Sequence, residues 1–245
     1  MKFKITMTIL NPFIKAVLMV IRFLIGVTNR STYFLKRAQA KIRTTPWRII
    51  KGDETLRVNY PLSHESTVFD VGGYKGTWSE DIYEKYKSTI YIFEPINKFT
   101  KEITERFSNN NDIHIYAFGL GKEDTKTTIN LEGDASSIYT ENKDNTEQIE
   151  IKSISNFIKE NNIKNIDLIK INIEGGEYDL LDDLIQSKLV NIVKNIQVQF
   201  HELDSHSYKK MKDLQKLLGN THVKTYGYDF VWENWKLENT QDDNN

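Results

Sequence analysis

Residues 67–77 read TVFDVGGYKGT, and the reading of this stretch decides the fold. Thr67–Val71 is a short run of β-branched and aromatic residues, the composition of a buried strand. Gly72 and Gly73 follow at once and permit a tight turn. Gly76 stands where a helical pattern over Thr77–Lys87 begins. A strand, a glycine turn and a helix N-terminus in immediate succession let a ligand approach the backbone closely. The turn differs from the G-x-G-x-x-G fingerprint: its glycines fall at the first, second and fifth positions, and Asp70 precedes them. It also lacks the Lys-Ser/Thr ending of a phosphate loop, which argues against nucleoside triphosphate chemistry.

Outward from this unit the same alternation continues. Strands are expected at Thr89–Phe93, Ile113–Phe118, Asp167–Ile173 and Ile196–His201, with helices at Asn97–Phe107, Ile154–Asn161, Tyr178–Gln186 and Tyr208–Leu218. Hairpin-like runs Thr127–Leu131 and Gln148–Ile151 flank a polar excursion. His222–Tyr226 and Asp229–Trp235, joined through Gly227-Tyr228, suggest an antiparallel hairpin at a sheet edge. Alternating strands and helices predict an α/β domain with a mainly parallel, doubly wound sheet. Its expected bounds are 66–237, after a polar linker at 46–65 punctuated by Pro46 and Pro61 and before a polar tail at 238–245.

Open parallel sheets bind ligands at the carboxyl ends of their strands, so the strand tips supply the candidates. Glu94 and Pro95 end the second strand, 24 residues after Asp70, where a carboxylate can accept both hydrogen bonds of a ribose diol. Phe118, after the third strand, either flanks an adenine or belongs to the core. The fourth tip reads KINIEGGE, and period-2 alternation puts Lys170, Asn172 and Glu174 on one side. Glu177 falls at the start of the following helix, where its charge suits the dipole. The fifth strand closes in QFHE and brings His201 to the same rim. Glu174 and His201 are the candidate bases. These side chains could in principle ligate a metal, but their spacing sets no coordination geometry and none is assigned.

The chain has 245 residues, 27% charged and 39% apolar, the balance of one packed domain with an accessory segment. It contains no cysteine, which excludes disulfides, thiolate metal sites and a cysteine nucleophile and leans the reading towards the cytosol. Charge is unevenly placed: residues 1–52 carry 11 of the 33 Lys plus Arg and none of the 34 Asp plus Glu. Within this basic arm, Asn11–Val27 is apolar except for Lys15 and Arg22, which lie seven apart on one helix face. Two cations inside the run argue against a spanning helix and suit one lying in a membrane interface. Gly26-Val27-Thr28-Asn29 offers no clear signal-peptidase site. The arm, residues 1–45, is therefore expected to meet an anionic membrane surface from the cytosol or to pack on the body. Nucleic acid is disfavoured, because the arm is more aliphatic than aromatic.

Taken together, TVFDVGGYKGTWS, YIFEP, the Ser136-Ser137 loop, IDLIKINIEGGE and QFHE resemble the FkbM-type family of S-adenosylmethionine-dependent methyltransferases over about Ser66–Glu202. The resemblance implies a Rossmann-like class I methyltransferase fold, an α/β seven-stranded sheet with a C-terminal antiparallel hairpin. It implies S-adenosyl-L-methionine as cofactor and a hydroxyl acceptor on a small molecule, often a sugar or glycan. Cofactor contacts are expected from Asp70, Gly72, Gly73, Tyr74, Gly76, Glu94, Pro95, Phe118 and Asn172. Acceptor contacts are expected from Ser136, Ser137, Lys170 and Glu177, and catalytic roles from Glu174, His201 and Asn172. Two departures stand out: Gly73-Tyr74 replaces Ala-Asn in the loop, and Asn172, an amide that cannot act as a base, replaces the motif's Asp. A nicotinamide-dependent oxidoreductase is disfavoured by the glycine spacing. A non-catalytic membrane-surface module that keeps the fold is the remaining alternative.

Overall fold

The computed structural model describes residues 38–130 and 146–238. The chain divides into two units, Met1–Pro46 and Trp47–Asn245. In the first unit the described residues 38–46 are helical and open α1 (38–49). The hydroxyls of Thr44 and Thr45 donate back to carbonyls of Ala40 and Lys41 there. The apolar run Asn11–Val27, the Ser136-Ser137 loop and most of the polar tail lie outside the described residues. Among the described residues no helix is long and apolar enough to cross a membrane.

In the second unit α2 (Gly52–Thr55) precedes β1 (Thr67–Val71), α3 (Thr77–Tyr86), β2 (Thr89–Phe93), α4 (Asn97–Arg106) and β3 (Ile113–Tyr116). Then come β4 (Gly119–Gly121), β5 (Thr125–Asn130), β6 (Thr146–Ser153), α5 (Ile154–Glu160), β7 (Leu168–Ile171) and α6 (Glu177–Gln186). The unit closes with β8 (Asn195–Val198), α7 (Ser207–Leu218), β9 (His222–Tyr228) and β10 (Trp232–Leu237). Seven strands form one sheet in the order β3-β2-β1-β7-β8-β10-β9. The first five are parallel, and β10 pairs antiparallel with both β8 and β9. From β1 the chain winds outward through β2 and β3 and then returns to β7 on the other side. The order therefore reverses between β1 and β7, where α/β sheets open their ligand crevice. A small second sheet, β4-β6-β5, stands beside the first.

Strand alternation sorts the core into two faces. Phe69, Val71, Ile169, Ile171, Ile196 and Val198 point towards α5, α6 and α7, where Phe157, Leu181 and Met211 meet them. Val68, Ile90, Ile92 and Leu168 point the other way, against Trp78 and Ile82 of α3, Ile103 of α4 and Tyr60. On this second face one register row runs Ile92, Asp70, Lys170, Gln197, Asn234, Tyr226. Asp70, Lys170, Gln197 and Asn234 in that row are all buried. A row of buried polar groups is costly unless each finds a partner.

Residues 46–65 supply part of that partnering and form a packed segment rather than a free linker. Trp47 is buried against Val231 and Trp232. The Tyr60 hydroxyl accepts from Gln197 Nε2 at 2.6 Å and donates to Asn234 Oδ1 at 3.3 Å. Their apolar rings are too widely spaced in the sequence to show a period, so this docking was illegible there. Two further readings shift. The β9–β10 turn falls at residues 229–231, while Gly227 and Tyr228 pair within the hairpin with Glu233 and Trp232. The third strand ends at Tyr116, and Gly119–Gly121 joins the second sheet instead.

The Tyr60 network gives a direct test. Tyr60→Phe leaves Gln197 and Asn234 short of a buried partner and is expected to cost about 1–3 kcal/mol. Urea unfolding should show a lower midpoint with an unchanged slope.

Candidate active site

The site starts from one buried ion pair. Asp70, at the end of β1, and Lys170, beside it on β7, lie side by side in register. Lys170 Nζ donates to Asp70 Oδ1 at 2.8 Å and to the carbonyl oxygen of Gly72 at 2.6 Å. The other Asp70 oxygen accepts from Ser79 Oγ of α3 at 2.6 Å. Burial pulls the Lys170 ammonium below its ordinary pKa, and Asp70 opposes that shift. Asp70 is thus fully committed inside the protein and does not line the cavity, contrary to the cofactor contact expected of it. It shapes the loop instead.

Held in this way, the β1 loop turns sharply. Gly72 has φ +84°, and a Cβ there would lie 2.0 Å from the carbonyl oxygen of Asn172, so no side chain fits. The amides of Gly72 and Gly73 both donate to the carbonyl of Phe93 at the end of β2. Tyr74 also takes a positive φ of 50°. Gly76, expected at the cofactor, instead caps α3 over Phe107 and Ile103 and is not part of the cavity wall.

Above this loop lies a cavity of about 670 Å³, lined by Gly72, Gly73, Tyr74, Glu94, Pro95 and Asn172 among others. That is a volume typical of small-molecule sites. At one end Tyr74 packs on Phe99 with ring centroids 4.5 Å apart, and Ile96, Ile129, Ile149 and Ile151 complete an apolar wall. Glu94 forms the polar floor beside it. Its two carboxylate oxygens accept the backbone N–H of Tyr74 at 2.8 Å and of Ile96 at 2.9 Å. Burial raises its pKa to about 7, although both amides pull it down. Phe118 does not reach the cavity. It packs against Phe93, Tyr116 and Phe157 in the aromatic core, and Gly119–Gly121 lines the space where an adenine contact was expected from it.

The fourth strand tip assembles differently from simple alternation. β7 ends at Ile171, and Glu174 takes a positive φ of 53° before Gly175. Lys170, Asn172 and Glu174 nonetheless all line the cavity, because the turn carries the glutamate round. A bulky residue at positive φ is uncommon and gathers at functional sites. Behind Glu174 stands His201, with Nε2 3.4 Å from Glu174 Oε2 and Nδ1 3.0 Å from Glu177 Oε1. Burial disfavours the charged imidazole, but the hydrogen bonds to Glu174 and Glu177 prevail and carry its pKa up to about 9. His201 is therefore an imidazolium at neutral pH and cannot serve as the base proposed from sequence. Glu177 is wholly buried, its oxygens taken by the amides of Gly175 and His201 and by the His201 ring. It positions His201 and is closed to any acceptor.

Several lining residues escape the sequence reading. Thr77 and Trp78 of α3 and Arg57, from the segment before β1, also line the cavity. Arg57 lies over Trp232, its Cζ 4.1 Å from the ring centroid, and one Nη donates to Asp53 at 2.9 Å. An arginine in a polar stretch carries no periodic signal. Two cavity residues keep a buried atom without a hydrogen-bond partner, Arg57 Nε and Asn172 Oδ1. Each such atom costs about 1–3 kcal/mol until something pairs with it. Among the described residues no group of three or more His, Asp or Glu side chains is arranged to hold a metal ion.

Glu94 makes the site sensitive to pH. A diol donating two hydrogen bonds prefers the ionised carboxylate, whose pKa of about 7 in the free protein makes it half protonated near neutrality. Affinity for a nucleoside ligand is therefore expected to rise as pH increases through about 7 and to level off above it. Glu94→Gln should remove that rise, as titration calorimetry between pH 5.5 and 8.5 would show.

Residues 70–230 match the methyltransferase FkbM domain. Methyltransferase 1 of Beauveria bassiana is 28% identical over 153 residues, covering 51% of this chain and 60% of the relative. The chain thus spans less than two thirds of that relative's length. Among solved structures, a fibrillarin/Nop5p complex aligns with a TM-score of 0.48 at 15% identity, covering 79% of this chain and 83% of the other. The N-methyltransferase NodS of Bradyrhizobium japonicum, solved with S-adenosyl-L-homocysteine, gives 0.42 at 9%, covering 80% and 91%. The cavity brings together residues that could hold S-adenosylmethionine: the buried Glu94 carboxylate, an apolar wall of Ile96, Ile129 and Ile149, and the tight Gly72-Gly73 turn. On the match over residues 70–230, this chain belongs to the methyltransferase FkbM family, and its cofactor is S-adenosylmethionine.

Proposed function

We propose that this methyltransferase methylates a hydroxyl group of a sugar, glycan or related metabolite by in-line transfer. The observation that carries the reading is the Glu174 carboxylate on the cavity wall, backed by the His201 imidazolium and, behind it, by buried Glu177. When bound, S-adenosylmethionine supplies the reactive methyl group, and the chain has to align an acceptor and manage one proton. Glu174 accepts the hydrogen bond of the attacking hydroxyl and takes its proton as the new C–O bond forms. His201 holds that carboxylate in place, while Glu177 fixes the imidazole. Asn172 contributes a hydrogen bond and no base.

The cavity lining supports a polyhydroxylated acceptor. Glu123 and Asp179 line the cavity with Glu174, a set rich in acceptors for sugar hydroxyls. Lys170, expected to touch the acceptor, is held by Asp70 and Gly72 and acts on the loop instead. The basic arm, residues 1–45 with nine Lys plus Arg and no Asp or Glu, would bring the enzyme from the cytosol to an anionic membrane where lipid-linked acceptors lie. Within the arm Ile42 is largely exposed. The full chain is expected to sediment with vesicles rich in phosphatidylserine and to be released by salt, whereas phosphatidylcholine vesicles should leave it in solution.

The decisive experiment offers radiolabelled S-adenosylmethionine with a panel of mono- and oligosaccharides, and repeats it with Glu174→Gln. Label should appear as a methyl ether. The variant should lose about 10²- to 10⁴-fold in kcat while binding S-adenosylhomocysteine as before. Transfer to nitrogen, or an undiminished kcat in the variant, would refute the proposed chemistry.

A further inference from the structure

Two polar atoms on cavity residues remain unused once the catalytic residues are assigned, a donor at Arg57 Nε and an acceptor at Asn172 Oδ1. Gln197 Oε1, the third such atom among the described residues, belongs to the Tyr60 network and not to the cavity wall. The strand order fixes where the two stand along the rim. Glu94 follows β2, Gly72 follows β1 and Asn172 follows β7, three strands that are successive neighbours. Arg57 lies over Trp232, the first residue of β10. Because β10 runs antiparallel to β8, with Glu233 opposite Val198 at the end of β8, its first residue belongs to the same rim. Neighbouring strands are about 4.8 Å apart, so a ligand with its ribose on Glu94 reaches Asn172 after about 10 Å and meets Arg57 beyond it.

Other cations of the cavity are committed or lie elsewhere. Lys170 is held by Asp70 and the Gly72 carbonyl, and Lys122 pairs with Asp182 at 2.8 Å. Lys126 belongs to β5, beside the apolar wall at the nucleoside end. Arg57 gives one Nη to Asp53 and keeps Nε. Trp232 supports the guanidinium, whose Cζ stands 4.1 Å from the ring centroid.

A free donor on a cation and a free amide oxygen at the same end of a cavity complement a zwitterion. A carboxylate takes guanidinium N–H groups side-on, and an ammonium donates to an amide oxygen. We infer that Arg57 and Asn172 hold the amino-acid end of S-adenosylmethionine, Arg57 binding its α-carboxylate and Asn172 its α-ammonium. The inference rests on S-adenosylmethionine as the cofactor of the cavity. A rotation of the Asn172 amide and a small shift of the guanidinium present both atoms to the ligand. Asn172 thereby has a task for which an uncharged oxygen suffices, and a cofactor contact arises at a position before the matched residues 70–230.

The test is calorimetric titration of the full chain with S-adenosylhomocysteine and with 5′-methylthioadenosine, which shares the nucleoside and sulfur but lacks the carboxylate and ammonium. Arg57→Gln should weaken S-adenosylhomocysteine about 10- to 100-fold and change 5′-methylthioadenosine by less than about twofold. Asn172→Ala should likewise weaken only the first ligand, and Asn172→Asp should bind it at least as tightly as the parent chain. Unchanged 5′-methylthioadenosine affinity shows that each variant is folded. Should Arg57→Gln abolish both, Arg57→Lys decides, with selective loss for S-adenosylhomocysteine expected. Equal loss for both ligands in Arg57→Lys, or no loss for either in Arg57→Gln, overturns the inference. Failure of the parent chain to bind either ligand would instead overturn the cofactor assignment on which it rests.

Discussion

Asp70 and Lys170 are the constraint on which the site depends. Their pairing crosses from β1 to β7, the two strands between which the sheet reverses its order. Burying two charges is expensive, and removing either partner would strand the other, so the pair tolerates little change. Its reward is geometric. Through the Gly72 carbonyl the lysine fixes the loop, the loop amides bind Phe93 of β2, and the Tyr74 amide reaches Glu94. On the far side the Asn172 amide donates to the Val71 carbonyl, so three strand tips are tied together.

A second, softer constraint governs the chemistry. Glu174, His201 and Glu177 form a carboxylate–imidazolium–carboxylate line running from the cavity into the protein. One positive charge serves two negative ones, and the inner carboxylate is saturated by backbone amides. The outer carboxylate keeps its exposure and its freedom to engage an acceptor. Glu94 relies on the opposite device, a carboxylate whose burial leaves it on the edge of protonation.

Much of the fold was legible because its strands are undiluted. VFDV, IYIF, LIKI and IQV are runs of β-branched and aromatic residues between helical stretches, and the carboxyl-rim rule then points to Glu94, Asn172, Glu174 and His201. Sequence position cannot say, however, whether a polar side chain at a strand end turns to ligand or to protein. Asp70, Lys170 and Glu177 are spent internally because each neighbours a group that would otherwise be buried unpaired. Phe118 joined the core because its neighbours Phe93, Tyr116 and Phe157 already formed an aromatic face. Arg57 was invisible, since its approach to the cavity depends on tertiary docking of the segment before β1 rather than on any local pattern.

That docking bears on how the enzyme comes into being. Arg57 rests on Trp232, so a growing chain has made its Glu94 and Asn172 long before the ring beneath Arg57 leaves the ribosome. Until β10 inserts between β8 and β9, the rim has its nucleoside end without a finished opposite wall. A ligand that spans both ends therefore favours the completed chain over every nascent intermediate, by mass action on the folded state. Cofactor supply becomes a factor in maturation as well as in turnover.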